Sequence, residues 1–255
     1  MNKLPISVCM ISGAEAHRIA KALASVADWT SEIVVVLNDD VKDGTDEIAS
    51  SFGAKVYREP WRGFIAQKNS AFAKAGQPWI LGLDADEVVS PGLLAEIIHL
   101  FEGTLDRSAY SCPRRSFYLG RWIRHGEWYP DRCVRLLQRN KARWGGIDPH
   151  GRLQIDGQVG ALHEDLLHYT GESLNQQVAK TLAYADEFAR HCQTSGRQIH
   201  CVDLALRPAW RFVRGYILRG GFLDGWQGFA IAWMSAFYTF LRYARARETQ
   251  RKYEP

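Results

Sequence analysis

Residues 79–93 read WILGLDADEVVSPGL. The first five are a short apolar run that stops at charge, the pattern of a strand buried on both faces. Ser90-Pro91 reads as an N-cap followed by proline at the first helical position, which opens a helix to about residue 101. Between the two lie Asp84, Asp86 and Glu87. A D-x-D alone is a weak signal. At the carboxyl end of a buried strand it marks a ligand edge.

Reading upstream, the period switches back and forth. Residues 6–11 are strand-like, and Ala16, Ile19, Ala20, Leu23 and Ala27 then fall at helical spacing. Residues 33–37 (IVVVL) form a second buried strand. A helix opens near Thr45, with Asp46 and Glu47 against its N-terminal dipole. Residues 54–57 give a third strand and 65–75 a helix. Four strand–helix units in a row imply parallel strands joined by right-handed crossovers, an α/β fold with a mostly parallel central sheet flanked by helices. The strand ends then carry Ser12-Gly13, Asn38-Asp39-Asp40, Arg58-Glu59 and residues 84–87. That rim is acidic.

No G-x-G-x-x-G follows the first strand and no G-x-x-x-x-G-K-[ST] occurs, which argues against a dinucleotide dehydrogenase and a P-loop enzyme. An acidic rim holds phosphates through a divalent metal, Mg²⁺ or Mn²⁺, bound by one or two carboxylates. Two enzyme classes use a D-x-D in this way. One is a phosphatase in which the first Asp is a nucleophile after the first strand, but here 83 residues precede Asp84. The other is sugar transfer from a nucleoside diphosphate sugar.

The runs EIVVV (32–36), DGT (43–45), QKNSAFAKA (67–75) and WILGLDADEVVSPGL resemble family 2 glycosyltransferases of the Rossmann-like GT-A fold. Residues 115–139 (RSFYLGRWIRHGEWYPDRCVRLLQR) and HYT (168–170) are similar to the branch that builds bacterial lipopolysaccharide core. The resemblance implies that Asp86 binds the metal on the diphosphate, that Asp84 sits beside the nucleotide, and that Lys68 lies near the phosphates or the base. Ser12, Glu15, Asn38 and Asp39 complete the implied nucleotide-sugar set. The family shows N-E-E after the first strand. Here Ala14-Glu15-Ala16 stands there, so only Glu15 carries over. Where the branch has a downstream His-Glu, this chain has His150-Gly151.

Inverting transfer needs a general base for the acceptor proton. Residues 145–153 (GGIDPHGRL) offer Asp148 and His150, although Asp and Pro are also ordinary turn residues. Glu164-Asp165 form a weaker second pair. Trp128, Tyr129 and Arg135 are the expected acceptor contacts, since aromatics stack on sugars and arginine clamps phosphate. Surface strands with snorkelling arginines are the alternative.

The chain has 255 residues, 46% hydrophobic and 24% charged, which excludes a disordered chain. Five cysteines without a C-x-x-C pair argue for a reducing compartment, and the short run 4–11 with Pro5 argues against a signal peptide. The net charge of +4 is unevenly placed: residues 205–255 carry +6 and the remainder −2. This basic tail begins with a helix over 208–219, Arg207, Arg211 and Arg214 on one face. Phe222, Trp226, Phe229, Trp233, Phe237 and Phe240 then follow at spacings of three and four. That is the pattern of an interfacial helix, with Arg242, Arg245, Arg247, Arg251 and Lys252 among anionic headgroups. Packing on the catalytic domain and insertion into the bilayer are the alternatives. No recognition motif points to nucleic acid.

The expected organisation is a catalytic domain over 1–205, with its nucleotide-sugar half about 1–105 and acceptor half about 106–205, followed by an amphipathic, membrane-associated region over 206–255. The expected reaction moves a sugar, glucose by the resemblance, from a UDP-sugar to a lipid-linked saccharide. It takes place in the cytoplasm, on the inner membrane surface. A relative that binds nucleotide sugar or glycolipid without turnover is the rival, and a D-x-D phosphatase is a more distant one.

Overall fold

A computed structural model describes residues 2–146, 148, 151–170 and 174–251, without the side chains of Gln176 and Arg251. The chain runs β1 (Leu4–Ser12), α1 (Ile19–Ala24), β2 (Thr30–Asn38), α2 (Thr45–Ser51), β3 (Lys55–Glu59), α3 (Phe64–Ala73), β4 (Trp79–Gly82), β5 (Glu87–Val89) and α4 (Pro91–Glu102). Then come β6 (Ala109–Tyr118), β7 (Arg121–Trp122), β8 (Asp131–Gln138), β9 (Ala142–Gly145), β10 (Arg152–Ile155), β11 (Val159–Ala161) and β12 (Leu166–Tyr169). The remaining helices are α5 (Leu174–Ser195), α6 (Cys201–Val213) and α7 (Gly225–Arg251). They divide into two compact units, Met1–Arg114 with Asp131–Tyr169, and Arg115–Pro130 with Thr170–Pro255.

In the first unit β3, β2, β1 and β4 lie side by side and parallel, as their four-unit pattern requires. The sheet continues antiparallel through β8 to β6, and β12 pairs antiparallel with β5. Strand alternation divides the core. Ile6, Val8 and Met10 join Val35 and Leu81 on one face, against Ile19 and Leu23 of α1 and Leu93 and Ile97 of α4. Cys9, Val34, Val36 and Ile80 face the other way, toward Ala71 and Ala75 at α3. Each fully buried Ile or Leu contributes about 1.5–3 kcal/mol, so both faces anchor the strand ends. The Ser90 hydroxyl accepts the Leu93 N–H at 3.1 Å, the N-cap that opens α4 at Pro91. The helical spacing of residues 16–27 yields only the short α1, with turns on either side.

The second unit contains the end of β6, its hairpin partner β7, and three long helices. Leu119 and Gly120 make the turn with φ of 45° and 83°, the left-handed pair that two-residue hairpins favour. α7 packs against α5 through the Phe188–Tyr243 ring pair and the buried Ala189, Cys192 and Ala246. α6 begins at Cys201 rather than at Pro208, because Asp203 accepts the His200 N–H at 3.0 Å and caps the helix upstream. Proline therefore lies within α6, and the expected division at residue 205 falls inside that helix. A π-helical turn (Arg214–Leu218) and a 3₁₀ turn (Gly221–Asp224) lead into α7. A Cβ on Gly228 would stand 1.8 Å from the Gly221 carbonyl, so only glycine permits this approach.

The terminal arginines have partners within the unit. Arg242 stacks on Phe188, Tyr238 and Tyr243, Arg245 pairs with Asp186 and Glu248, and Arg247 donates to the Ile199 carbonyl. Arg251 and Lys252 lie outside the described side chains.

Candidate active site

The site grows from the loops that follow β1, β2 and β4. Asp43 accepts the Thr45 N–H and hydroxyl with one oxygen and the Ala16 N–H with the other. The hydrogen bond from Thr45, with that from Ala16, holds its carboxyl below the usual range. Thr45 in turn receives the Glu15 N–H at 3.0 Å. The Asp-Gly-Thr motif thus ties the loop after β1 to the start of α2. Glu15 takes Arg18 in a two-pronged pair, and Arg18 Nη1 reaches to 3.3 Å from Asp86 Oδ2.

Asp84 and Asp86 face different partners. Asp84 meets Lys68 Nζ at 3.3 Å and Arg135 Nη2 at 2.9 Å. Enclosure by protein works to raise its pKa, although a third of the side chain opens to the cleft. The Arg135 and Lys68 charges override that and hold it well below the carboxylate range. Asp86 lies 3.5 Å from His168 Nε2. Burial opposes its ionisation too, and the His168 contact and Arg18 charge again lower its pKa. The β5–β12 register explains the meeting: His168 is paired with Glu87, and the Tyr169 N–H donates to the Asp86 carbonyl at 2.8 Å.

Glu87, fully buried, fixes the turn. One oxygen binds Arg135 at 2.5 Å and Arg114 at 3.1 Å, and the other accepts the Asp84 N–H at 3.2 Å. Arg135 is itself buried. Desolvation opposes its charge, and Glu87 and Asp84 outweigh it, so its pKa lies well above the ordinary arginine value. It is placed among carboxylates rather than at an acceptor surface.

These loops enclose a cleft of about 630 Å³, lined by Ser12, Glu15, Arg18, Asn38, Lys68, Asp84, Asp86 and His168. Asp40 lines it, and the neighbouring Asp39 does not. Trp61 and Phe64 stand edge-to-face at 4.8 Å on its wall, both about half exposed. Lys68 also lies 4.5 Å from the Trp144 ring, whose backbone is held at both N–H and C=O by Asn69. Neither Trp61, Phe64, Arg18 nor His168 was assigned a site role from the sequence. His168 carried a signal in HYT; the other three carried none.

Asp148 is exposed, and its Oδ1 accepts the Ile65 N–H at 2.9 Å, satisfying a free donor at the start of α3. A Cβ on Gly63, whose φ is +95°, would stand 2.0 Å from Asp148 Oδ2, so this approach also requires glycine. His150 lies outside the described residues. Trp128 and Tyr129 belong to the second unit, where the Trp128 ring packs at 4.9 Å on buried Tyr118.

The donor set fits a divalent cation. A carboxylate and an imidazole 3.5 Å apart are close enough to share one ion, and Mn²⁺ accepts both ligand types. Among the described residues no cluster of three or more His, Cys, Asp or Glu could hold a metal by itself. Phosphate oxygens and water would have to complete the shell, as they do for Mg²⁺ on nucleotides.

The model of glycosyl transferase family 2 matches residues 7–159. A glycosyltransferase of Rickettsia typhi, named as uncharacterized, is 32% identical over 97% of this chain and 88% of its own length. The lipopolysaccharide core biosynthesis glycosyltransferase LpsC of Rhizobium meliloti is 28% identical over 95% of this chain and 92% of its own. Among solved structures, the mannosyltransferase PcManGT of Pyrobaculum calidifontis with GDP-Man and Mn²⁺ superposes with a TM-score of 0.53 at 14% identity, covering 99% of this chain and 88% of that one. S. aureus TarS 1-349 with UDP-GlcNAc gives 0.52 at 14%, covering 99% and 92%. Both share the GT-A fold. The parallel strand order, the cleft at its carboxyl edge and these matches agree: the chain belongs to the family 2 glycosyltransferases.

Proposed function

We propose that this glycosyltransferase moves a hexose, with inversion, from a UDP-sugar to a lipid-linked saccharide of the lipopolysaccharide-core type, at the cytoplasmic face of the inner membrane. The observation that carries the reading is the convergence of Asp86, His168 and Lys68 on one cleft. The likeness to LpsC supports the acceptor class.

In this reading the acceptor hydroxyl attacks C1 of the donor sugar as the bond from C1 to the diphosphate oxygen breaks. Asp86 and His168 would hold a divalent cation, which would supply positive charge at the diphosphate. Lys68 adds a fixed ammonium to the same wall, preorganised by Asp84 and the Trp144 ring. Ser12, Glu15, Asn38 and Asp40 bound the nucleotide end, and Asp39 stays a candidate only through its backbone neighbourhood. Trp61 and Phe64 offer faces on which a base or sugar stacks.

Asp148 is the proposed base. Its carboxylate is exposed beside Ile65, next in sequence to the cleft residue Phe64. Trp128 and Tyr129 are kept as proposed acceptor contacts. Arg135 is proposed instead as a positioning residue that acts through Asp84 and Glu87.

A thermal-shift panel of UDP, GDP, CMP and their sugars, with and without Mn²⁺, tests the donor half. Ligand at 100-fold its dissociation constant adds about 2.7 kcal/mol, roughly 5 °C or more for such a unit. A shift with UDP that needs Mn²⁺ and is lost in Asp86→Asn is expected. No shift with any nucleotide would sink the reading. Transfer of label from UDP-glucose to truncated core oligosaccharide then tests the acceptor.

A further inference from the structure

We infer that the second unit docks on an anionic phospholipid surface through the exposed apolar stripes of α6 and α7. This deepens the membrane half of the reading above and rests on it for the acceptor, but the surface stands on its own features. On α6, Leu206, Trp210 and Val213 recur at helical spacing, and Ile217 continues the row into the π-helical turn. On α7, Trp226 and Trp233 are each 59% exposed, where a tryptophan in a packed core is nearly covered.

The two stripes border one seam. Phe212 of α6 meets Phe229 and Trp233 of α7 at 5.9 and 6.0 Å, and Tyr216 meets Phe229 at 5.7 Å. Residues one turn apart share a face, so each of the two packed helices carries a row of exposed apolar side chains. Two such rows on packed helices are more than scattered surface apolars and mark an interaction site.

Charge selects the occupant. Arg211, Arg214 and Arg219 converge on the single buried carboxylate of Glu127, at 3.0, 3.4 and 3.8 Å, and each guanidinium keeps about two-fifths of its exposure. Three cations on one anion leave a positive surplus beside the aromatic rows. A second copy of this chain would bring equal surpluses together, which is unfavourable. Anionic headgroups complement it, at about 1 kcal/mol per basic residue. Trp and Phe rows under arginines lie about 5–10 Å deep at the headgroup boundary. Among the described residues no helix is long and apolar enough to cross a membrane, so the contact is interfacial.

The test is co-sedimentation of the full chain with phosphatidylcholine vesicles, with and without about one-third phosphatidylglycerol, together with tryptophan emission. Wild type is expected on the anionic vesicles at low salt, with blue-shifted emission, and to leave them at high salt. Trp210→Ala/Trp226→Ala/Trp233→Ala is expected to lose at least tenfold in partitioning and to keep its circular dichroism and nucleotide shift. The wild-type comparison of the two vesicle types stands even if that variant is unstable. Absence of wild-type binding, binding unaffected by the substitutions, or a solution dimer that the substitutions dissolve would each overturn the proposal. Vesicle binding without transfer to any core acceptor would retain this inference and remove the catalytic reading instead.

Discussion

Arg135 and Glu87 form a pair 2.5 Å apart, with Glu87 wholly out of solvent and its other oxygen bound to the Asp84 N–H. The arginine on β8 therefore fixes the acidic turn through a fully buried carboxylate. Arg135→Met should leave buried Glu87 with Arg114, at 3.1 Å, as its remaining cation, at a cost of up to about 3–5 kcal/mol in urea unfolding. Glu87→Gln retains the shape and should lose less stability while lowering kcat more than it raises KM. A neutral Arg135→Met would show that the network does not hold the turn.

The Asp86–His168 separation of 3.5 Å predicts a shared role. Titration calorimetry of Mn²⁺ into the UDP-saturated protein should show at least about tenfold weaker binding in His168→Ala, and near loss in Asp86→Asn. Unchanged Mn²⁺ affinity in both would move the cation elsewhere.

Asp148 has two separable jobs. As a base, Asp148→Asn should lower kcat by about 10²- to 10⁴-fold with little change in donor KM. As a helix cap alone, Asp148→Ala should cost about 0.5–2 kcal/mol in stability, and either change should leave kcat nearly intact. Asparagine can still accept the Ile65 N–H, so Asn against Ala separates the two by comparing unfolding midpoints with rates.

Stability against pH should report Glu59. Lys74 first, and Ser70 and Arg62 after it, hold its carboxyl below the ordinary range even though partial burial opposes this. A depressed folded pKa means stability that is present above the unfolded value, about 4.3, and lost as pH falls through the folded one. Glu59→Gln should therefore destabilise by roughly 1–3 kcal/mol at pH 7 and progressively less as pH falls below about 4.3, in paired urea titrations. An equal loss at both would assign its effect to packing.

β1, β2 and β4 were legible because each is an apolar run between turn residues, and strand burial on both faces leaves no alternation to misread. Ser90-Pro91 located α4 because a cap and a proline act over one turn. The long-range partners were not legible. Arg135 reads as an exposed acceptor residue in a basic stretch, and only the β4–β8 pairing puts it beside Asp84. Arg18 carries no motif at all, and its place between Glu15 and Asp86 depends on loop geometry. The start of α6 was misjudged since proline at a first helical position is the commoner pattern, and here Asp203 caps the helix earlier.

Pairing β12 with β5 has a kinetic corollary. His168 reaches Asp86 only when a strand at residues 166–169 closes on one at 87–89, a contact spanning about a third of the chain. Contacts of such sequence separation form late, because loop closure must precede them. During synthesis the D-x-D turn emerges well before its imidazole partner. If the proposed cation site is right, cation affinity should therefore appear as a late step in refolding, after the parallel strands are in place.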